Sequence, residues 1–92
     1  MTLLSPTEVT HKLALLPEWR RAGQTIERTW TLPDFPAAMA FVNKVAEEAE
    51  KAGHHPDIDI RWNKVTLALT SHDAGGLTGR DFRLAAVIDS LM

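Results

Sequence analysis

From Asp57 to Thr70 the chain alternates between apolar and polar side chains with a period of two, broken only at Asn63–Lys64 and at Ala68. Ile58, Ile60 and Trp62 fall on one face, opposite Asp57, Asp59 and Arg61. Beyond a tight turn expected at Asn63–Lys64, Val65, Leu67 and Leu69 fall on one face, opposite Thr66, Ala68 and Thr70. Two extended runs joined by so short a turn pair as an antiparallel hairpin. A hairpin returns to where it began, so the residues before its first strand and after its second share one end. Those residues are His54-His55-Pro56 and Ser71-His72.

The flanking sequence supplies the remaining elements. Ser5, Pro6 and Glu8 make a helix start with a capping box, Val9, Leu13 and Leu16 share a face of that helix, and Pro17 ends it. Trp19 to Ala22 and Thr25 to Leu32 are two strands around Gly23–Gln24, the second with Ile26, Arg28 and Trp30 on one face. Asp34 caps a central helix in which Phe35, Ala38, Met39, Val42, Val45, Ala46 and Ala49 recur at helical spacing, and Gly53 follows its end. Thr78 caps a last helix, with Asp81 at its third position and Phe82, Ala85, Ala86 and Ile88 as the buried face. The order α-β-β-α-β-β-α, with hairpins and two amphipathic helices to bury, predicts an α+β two-layer sandwich. Its four-stranded antiparallel sheet carries the helices on one face. At 92 residues, without repeat or linker, residues 1–92 are expected to form one domain.

Composition removes several function classes. The apolar fraction of 45% provides a core, and the formal charge of −2 with scattered Lys and Arg argues against nucleic-acid binding. With no cysteine there is neither a disulfide framework nor a thiolate site. No apolar run reaches membrane-spanning length, and Leu3–Leu4 gives way at once to Ser5, Pro6 and Glu8 instead of continuing as a signal peptide. A cytoplasmic protein, without membrane association, is the expectation.

Histidine both gives and takes a proton near neutral pH. The expected hairpin gathers His54, His55 and His72, with Glu50 one helical turn before His54 and Asp81 entering from the first turn of the last helix. The Gly75–Gly76 loop and Trp62 complete a candidate pocket. Each residue alone has a plainer role. A loop histidine ordinarily just faces water, Trp62 belongs to a core or interface, and Asp81 is a helix N-terminal carboxylate. Glu50 can be merely solvated, and His11 has no companions and receives no role. It is the convergence that points to chemistry. Three imidazoles also suggest zinc, but neighbouring residues of an extended segment point to opposite faces, so His54 and His55 cannot easily hold one ion. Metal-free acid–base work fits better, with no cofactor.

At these residues the sequence resembles the pterin-4a-carbinolamine dehydratase family. That family's pattern is an acidic residue, His-His-Pro, an aromatic, a His and an Asp at fixed spacing. Glu50, His54, His55, Pro56, Trp62, His72 and Asp81 stand at those spacings, within a match running from about Asp34 to Asp89. The family accepts Tyr or Trp at position 62, so no phenol chemistry carries over to Trp62.

The resemblance implies an active site at His54, His55 and His72, and loss of the 4a-hydroxyl of a 4a-hydroxytetrahydropterin to give quinonoid dihydropterin. Roles are expected as follows. His54 and His72 are general acid and base, His55 orients the ring, Glu50 holds an imidazole tautomer, and Asp81 braces the His72 loop. Backbone groups from Thr70 to His72 supply flat donors and acceptors to the pterin. The resemblance further implies a homodimer or homotetramer, and an aromatic amino-acid hydroxylase system as the source of substrate in tetrahydropterin recycling. Two other classes stand beside it: an oligomeric protein-binding module, since some animal relatives serve as dimerisation cofactors of a homeodomain transcription factor, and a small His-metal hydrolase.

Overall fold

The computed structural model describes residues 2–92. The hairpin at the heart of the sequence pattern forms: β3 (Asp57–Arg61) pairs antiparallel with β4 (Lys64–Leu69), and β4 pairs on its other side with β2 (Thr25–Thr31). β1 (Arg20–Ala22) lies outside β2, so the sheet runs β1-β2-β4-β3 with neighbouring strands antiparallel. Register places Ile26 opposite Leu69, Arg28 opposite Leu67 and Trp30 opposite Val65, which puts the apolar set on one face. The other face is polar, and on it the Thr29 and Thr66 hydroxyls hydrogen-bond across the strands at 2.8 Å.

Three helices flank the sheet among the described residues: α1 (Pro6–Leu13), α2 (Phe35–Ala52) and α3 (Gly79–Asp89). The capping box of α1 is present, with Glu8 N–H on Ser5 Oγ at 3.2 Å and Ser5 N–H on Glu8 Oε1 at 2.8 Å. That exchange holds the Glu8 carboxyl below the usual carboxylate range, chiefly through the Ser5 backbone N–H. α1 stops at Leu13, before the expected Pro17, because the chain leaves the helix in tighter turns through Leu16. α2 begins at the Asp34 cap and ends at Gly53, which takes a left-handed φ of 60°. The buried face of α2 is Ala38, Phe41, Val42, Val45 and Ala49. Phe35 and Ala46, expected in that stripe, are exposed, and Phe41 takes the core position instead. On α3 the same correction applies: Leu84 is buried and Ala86 is exposed. No helix among the described residues is long and apolar enough to cross a membrane.

Beneath the helices the core joins Ile26, Trp30, Val65, Leu67 and Leu69 of the sheet to Val45, Phe82, Ala85 and Ile88 of the helices. Trp30 stands between two rings, edge-on to Trp19 at 5.6 Å and tilted to Phe41 at 4.9 Å. Asp89, the last residue of α3, accepts from Trp19 Nε1 at 2.8 Å and from Arg28 Nη1 at 2.9 Å, which ties the end of α3 to the sheet. Arg28 also lies over the Trp30 ring, 4.6 Å from its centroid.

The turn of the central hairpin is shifted by one residue. Arg61 pairs with Lys64, so Trp62 and Asn63 form it. Asn63 is fixed by Leu32, whose carbonyl accepts from Asn63 Nδ2 at 2.9 Å and whose N–H donates to the Asn63 carbonyl at 2.8 Å. That anchorage leaves Trp62 to take the left-handed turn position, at φ 52° and 66% exposed.

Leu67 is fully buried in the central strand at the middle of this core. Leu67→Ala is expected to lower stability by about 3 kcal/mol, since the cavity it leaves cannot close around a paired strand. Chemical denaturation measures the change.

Candidate active site

The end of α2 delivers the first two histidines. Gly53 reverses the chain in its left-handed conformation, and His54 N–H returns to the Ala49 carbonyl at 3.1 Å. Pro56 then forces extended geometry, so the adjacent imidazoles leave in different directions. His54 is buried, 8% exposed, while His55 is exposed.

His54 Nε2 is 2.6 Å from Oδ1 of Asp81, a carboxylate with no exposed surface. The other oxygen, Oδ2, accepts from Ser71 Oγ at 2.9 Å and from Thr78 N–H at 2.9 Å. Because the single Ser71 proton goes to Asp81, the 2.8 Å contact between Ser71 and Thr78 hydroxyls is donated by Thr78. Thr78 Oγ1 in turn accepts from Arg80 N–H at 3.3 Å, capping α3. With a carboxylate at Nε2, the neutral His54 ring carries its proton there and leaves Nδ1 as its acceptor.

His55 Nε2 hydrogen-bonds Glu50 Oε2 in an exposed pair. His72 opens a short 3₁₀ turn, His72–Ala74, after β4. His54, His55, His72 and Thr70 line one open cleft of 340 Å³, together with Gly53, Asp73 and Arg80. Thr70 donates its hydroxyl to the Gln24 carbonyl at 2.6 Å, which ties the cleft wall to the turn between β1 and β2.

Two expectations change. Trp62 lies in the hairpin turn, at the far end of β3 from His54 and His55, about 16 Å of extended chain away. The structure does not bring it to the cleft. Ser71 is buried and its backbone is committed: its N–H donates to the Gly76 carbonyl at 3.0 Å, and its carbonyl accepts from Ala74, Gly75 and Gly76 at 3.0–3.2 Å. It holds Asp81 instead of facing a ligand. Asp81 reaches His54 itself as well as the loop that carries His72.

Sequence reasoning passed over Arg80. Its guanidinium lines the histidine cleft and pairs with Asp73, and its Nε is buried without a partner among the described residues. A cation in the first turn of a helix opposes the helix dipole, and that anomaly is the signal by which the sequence could have marked it. The hydrogen bond from Arg80 holds the Asp73 carboxyl below the usual carboxylate range. Among the described residues no three His, Cys, Asp or Glu side chains are grouped to hold a metal ion.

A family model described as pterin 4 alpha carbinolamine dehydratase matches residues 2–91, and the chain therefore belongs to that family. A relative from Acidobacterium capsulatum, provisionally named pterin-4-alpha-carbinolamine dehydratase, is 60% identical over 92 residues, covering 100% of both chains. A relative from Roseiflexus castenholzii under the same provisional name is 59% identical, over 98% of this chain and 97% of its own. Among solved structures, a transcriptional coactivator/pterin dehydratase from Brucella melitensis superposes with a TM-score of 0.91 at 29% identity, over 96% of each chain. A pterin dehydratase-like RuBisCO assembly factor of the alpha-carboxysome shares the fold, with a TM-score of 0.68 at 23% identity, over 80% of this chain and 88% of its own.

Two outcomes are expected here. Asp81→Ala strands His54, Ser71 and the Thr78 N–H together, and is expected to cost about 3 kcal/mol, measured by urea unfolding. Arg80→Gln should raise the Asp73 pKa toward its ordinary value, measured by NMR titration. A carboxyl whose folded pKa is depressed contributes stability above its ordinary pKa and loses it as pH falls through the lowered one. The wild-type protein should therefore lose this contribution only in acid, and Arg80→Gln should lack it at neutral pH.

Proposed function

We propose that the chain dehydrates a 4a-hydroxytetrahydropterin to quinonoid dihydropterin, with the cleft histidines as proton carriers. The observation that supports this most is the set of three imidazoles on one open cleft, one of them held by a fully buried carboxylate. In a carbinolamine the nitrogen lone pair expels the neighbouring hydroxyl as the C4a–O bond breaks. The enzyme must place one proton on the departing hydroxyl, which leaves as water, and take one from a ring N–H onto a base, so that the net loss is one water and the proton count of the site is restored. Positioned acid–base groups contribute about 10²–10⁴-fold, enough for an intermediate that already decays unaided.

In this proposal His54 and His72 carry the two proton transfers. Asp81 fixes the orientation of the His54 ring. His55, turned by Glu50, orients the pterin, and Thr70 forms part of the wall. The product feeds tetrahydropterin recycling, with an aromatic amino-acid hydroxylase system in the cytoplasm as the source of substrate.

His54→Ala and His72→Ala are each expected to lower stopped-flow turnover of a synthetic 4a-hydroxypterin by about tenfold or more, with unchanged circular dichroism. Wild-type rates in both variants would reject the assignment. Turnover should also survive strong chelators, and restoration of activity by added zinc would favour a metal hydrolase instead.

The proposal includes a homodimer or homotetramer. β3 is an edge strand, and its Ile58 is 40% exposed on the face that is apolar elsewhere in the sheet. Sedimentation at micromolar concentration should show more than one chain per particle; a pure monomer would contradict it. The coactivator description of the Brucella melitensis structure supports a second reading, a protein-binding module. Absence of turnover in a folded oligomer would favour that reading.

A further inference from the structure

His54 and Arg80 line a second cleft besides the histidine cleft. This one, of 320 Å³, lies between the last turns of α2 and the face of α3 that runs from Arg80 to Val87. Ala52, Leu84 and Val87 give it an apolar lining, and Lys51, Arg80 and Arg83 bring three cations against the single carboxylate of Glu48. In a chain of formal charge −2 this is a local reversal of sign. The cations are not all answered from within. Lys51 pairs with Glu48 at 3.0 Å and Arg80 with Asp73, but Arg83 has no acidic partner among the described residues. The buried Arg80 Nε is likewise without an acceptor.

We infer that this second cleft receives the 6-substituent of the pterin, and that the substituent it fits carries an anionic group, a carboxylate or a phosphate. The inference rests on the dehydratase reading, which puts the pterin ring in the histidine cleft. A ring there lies against the His54 and Arg80 side chains that also line the second cleft. A short neutral polyol would leave Arg83 unanswered and the exposed Ala52 and Val87 uncovered. A substituent with an apolar stem and an anionic end covers the lining and meets the cations, and a guanidinium binds carboxylate or phosphate through paired N–H groups.

The test is isothermal titration of the full chain with three oxidised probes: biopterin, neopterin monophosphate and pteroylglutamate. At least one anionic probe should bind about tenfold more tightly than biopterin. Arg83→Gln should cut that preference about fivefold, the size expected of one partly solvated charge contact, and Arg83→Lys should restore most of it. Preference for pteroylglutamate identifies an aryl carboxylate, and preference for neopterin monophosphate identifies a phosphate. Equal binding of all three probes, or a preference unchanged in Arg83→Gln, overturns the inference. Stopped-flow dehydration of the matching 4a-hydroxypterins, run in parallel, separates the two levels. An anionic preference that depends on Arg83 without any dehydration removes the dehydratase reading and leaves the anionic-pterin site standing. No binding of any probe removes both.

Discussion

The carboxylate of Asp81 carries no exposed surface and must be held by donors on both oxygens. A buried charge is costly unless it is paired and hydrogen-bonded, and here every donor comes from a different part of the chain. His54 arrives from beyond the end of α2, Ser71 from beyond the end of β4, and the Thr78 N–H from the cap of α3. The α3 N-terminus adds its dipole to the same oxygens. One side chain thus fixes the relative positions of two helices and the hairpin where the cleft opens. The polar network and the cleft geometry are one object, and the packing of the sheet lies beneath it.

The division of labour around that carboxylate follows from three consecutive residues. Gly53 turns the chain, His54 enters the interior, and His55 is left outside before Pro56 starts the strand. The hairpin then returns His72 to the same end by strand length alone. At the other end of α3, Asp89 gathers Trp19 and Arg28 onto the sheet. Each end of α3 is therefore fastened by an aspartate, one at the cleft and one on the aromatic core. The helix between them packs on the sheet through Phe82, Ala85 and Ile88.

Much of this was legible in the sequence because it depends on local rules. Period-two alternation gave the hairpin and its buried face, and the capping box at Ser5 and the Thr78 cap marked the starts of α1 and α3. Where burial depends on what lies opposite, the pattern was less informative. Phe35 and Phe41 both fit an apolar helical stripe, and only the position of Trp30 decides that Phe41 is inside. Ala46 and Ala86 are small enough to satisfy either surface, so their exposure was invisible. Trp62 continued the alternation of Ile58 and Ile60, but the bonds between Asn63 and Leu32 set the turn one residue earlier and put it at the remote tip. The contact of Asp81 with His54 spans 27 residues and depends on how α2 ends against the start of α3. Arg80 was overlooked because an arginine beside a helix cap looks like ordinary surface charge until the cleft beside it is seen.

The neighbours His54 and His55 each face a carboxylate, yet one pair is dry and the other stands in water. Mobile ions weaken attraction between exposed charges and scarcely reach buried ones. When the rings are protonated, rising ionic strength should therefore loosen the grip of Glu50 on His55 while that of Asp81 on His54 holds. Adjacent residues with the same side chain would then answer differently to the electrolyte around the protein.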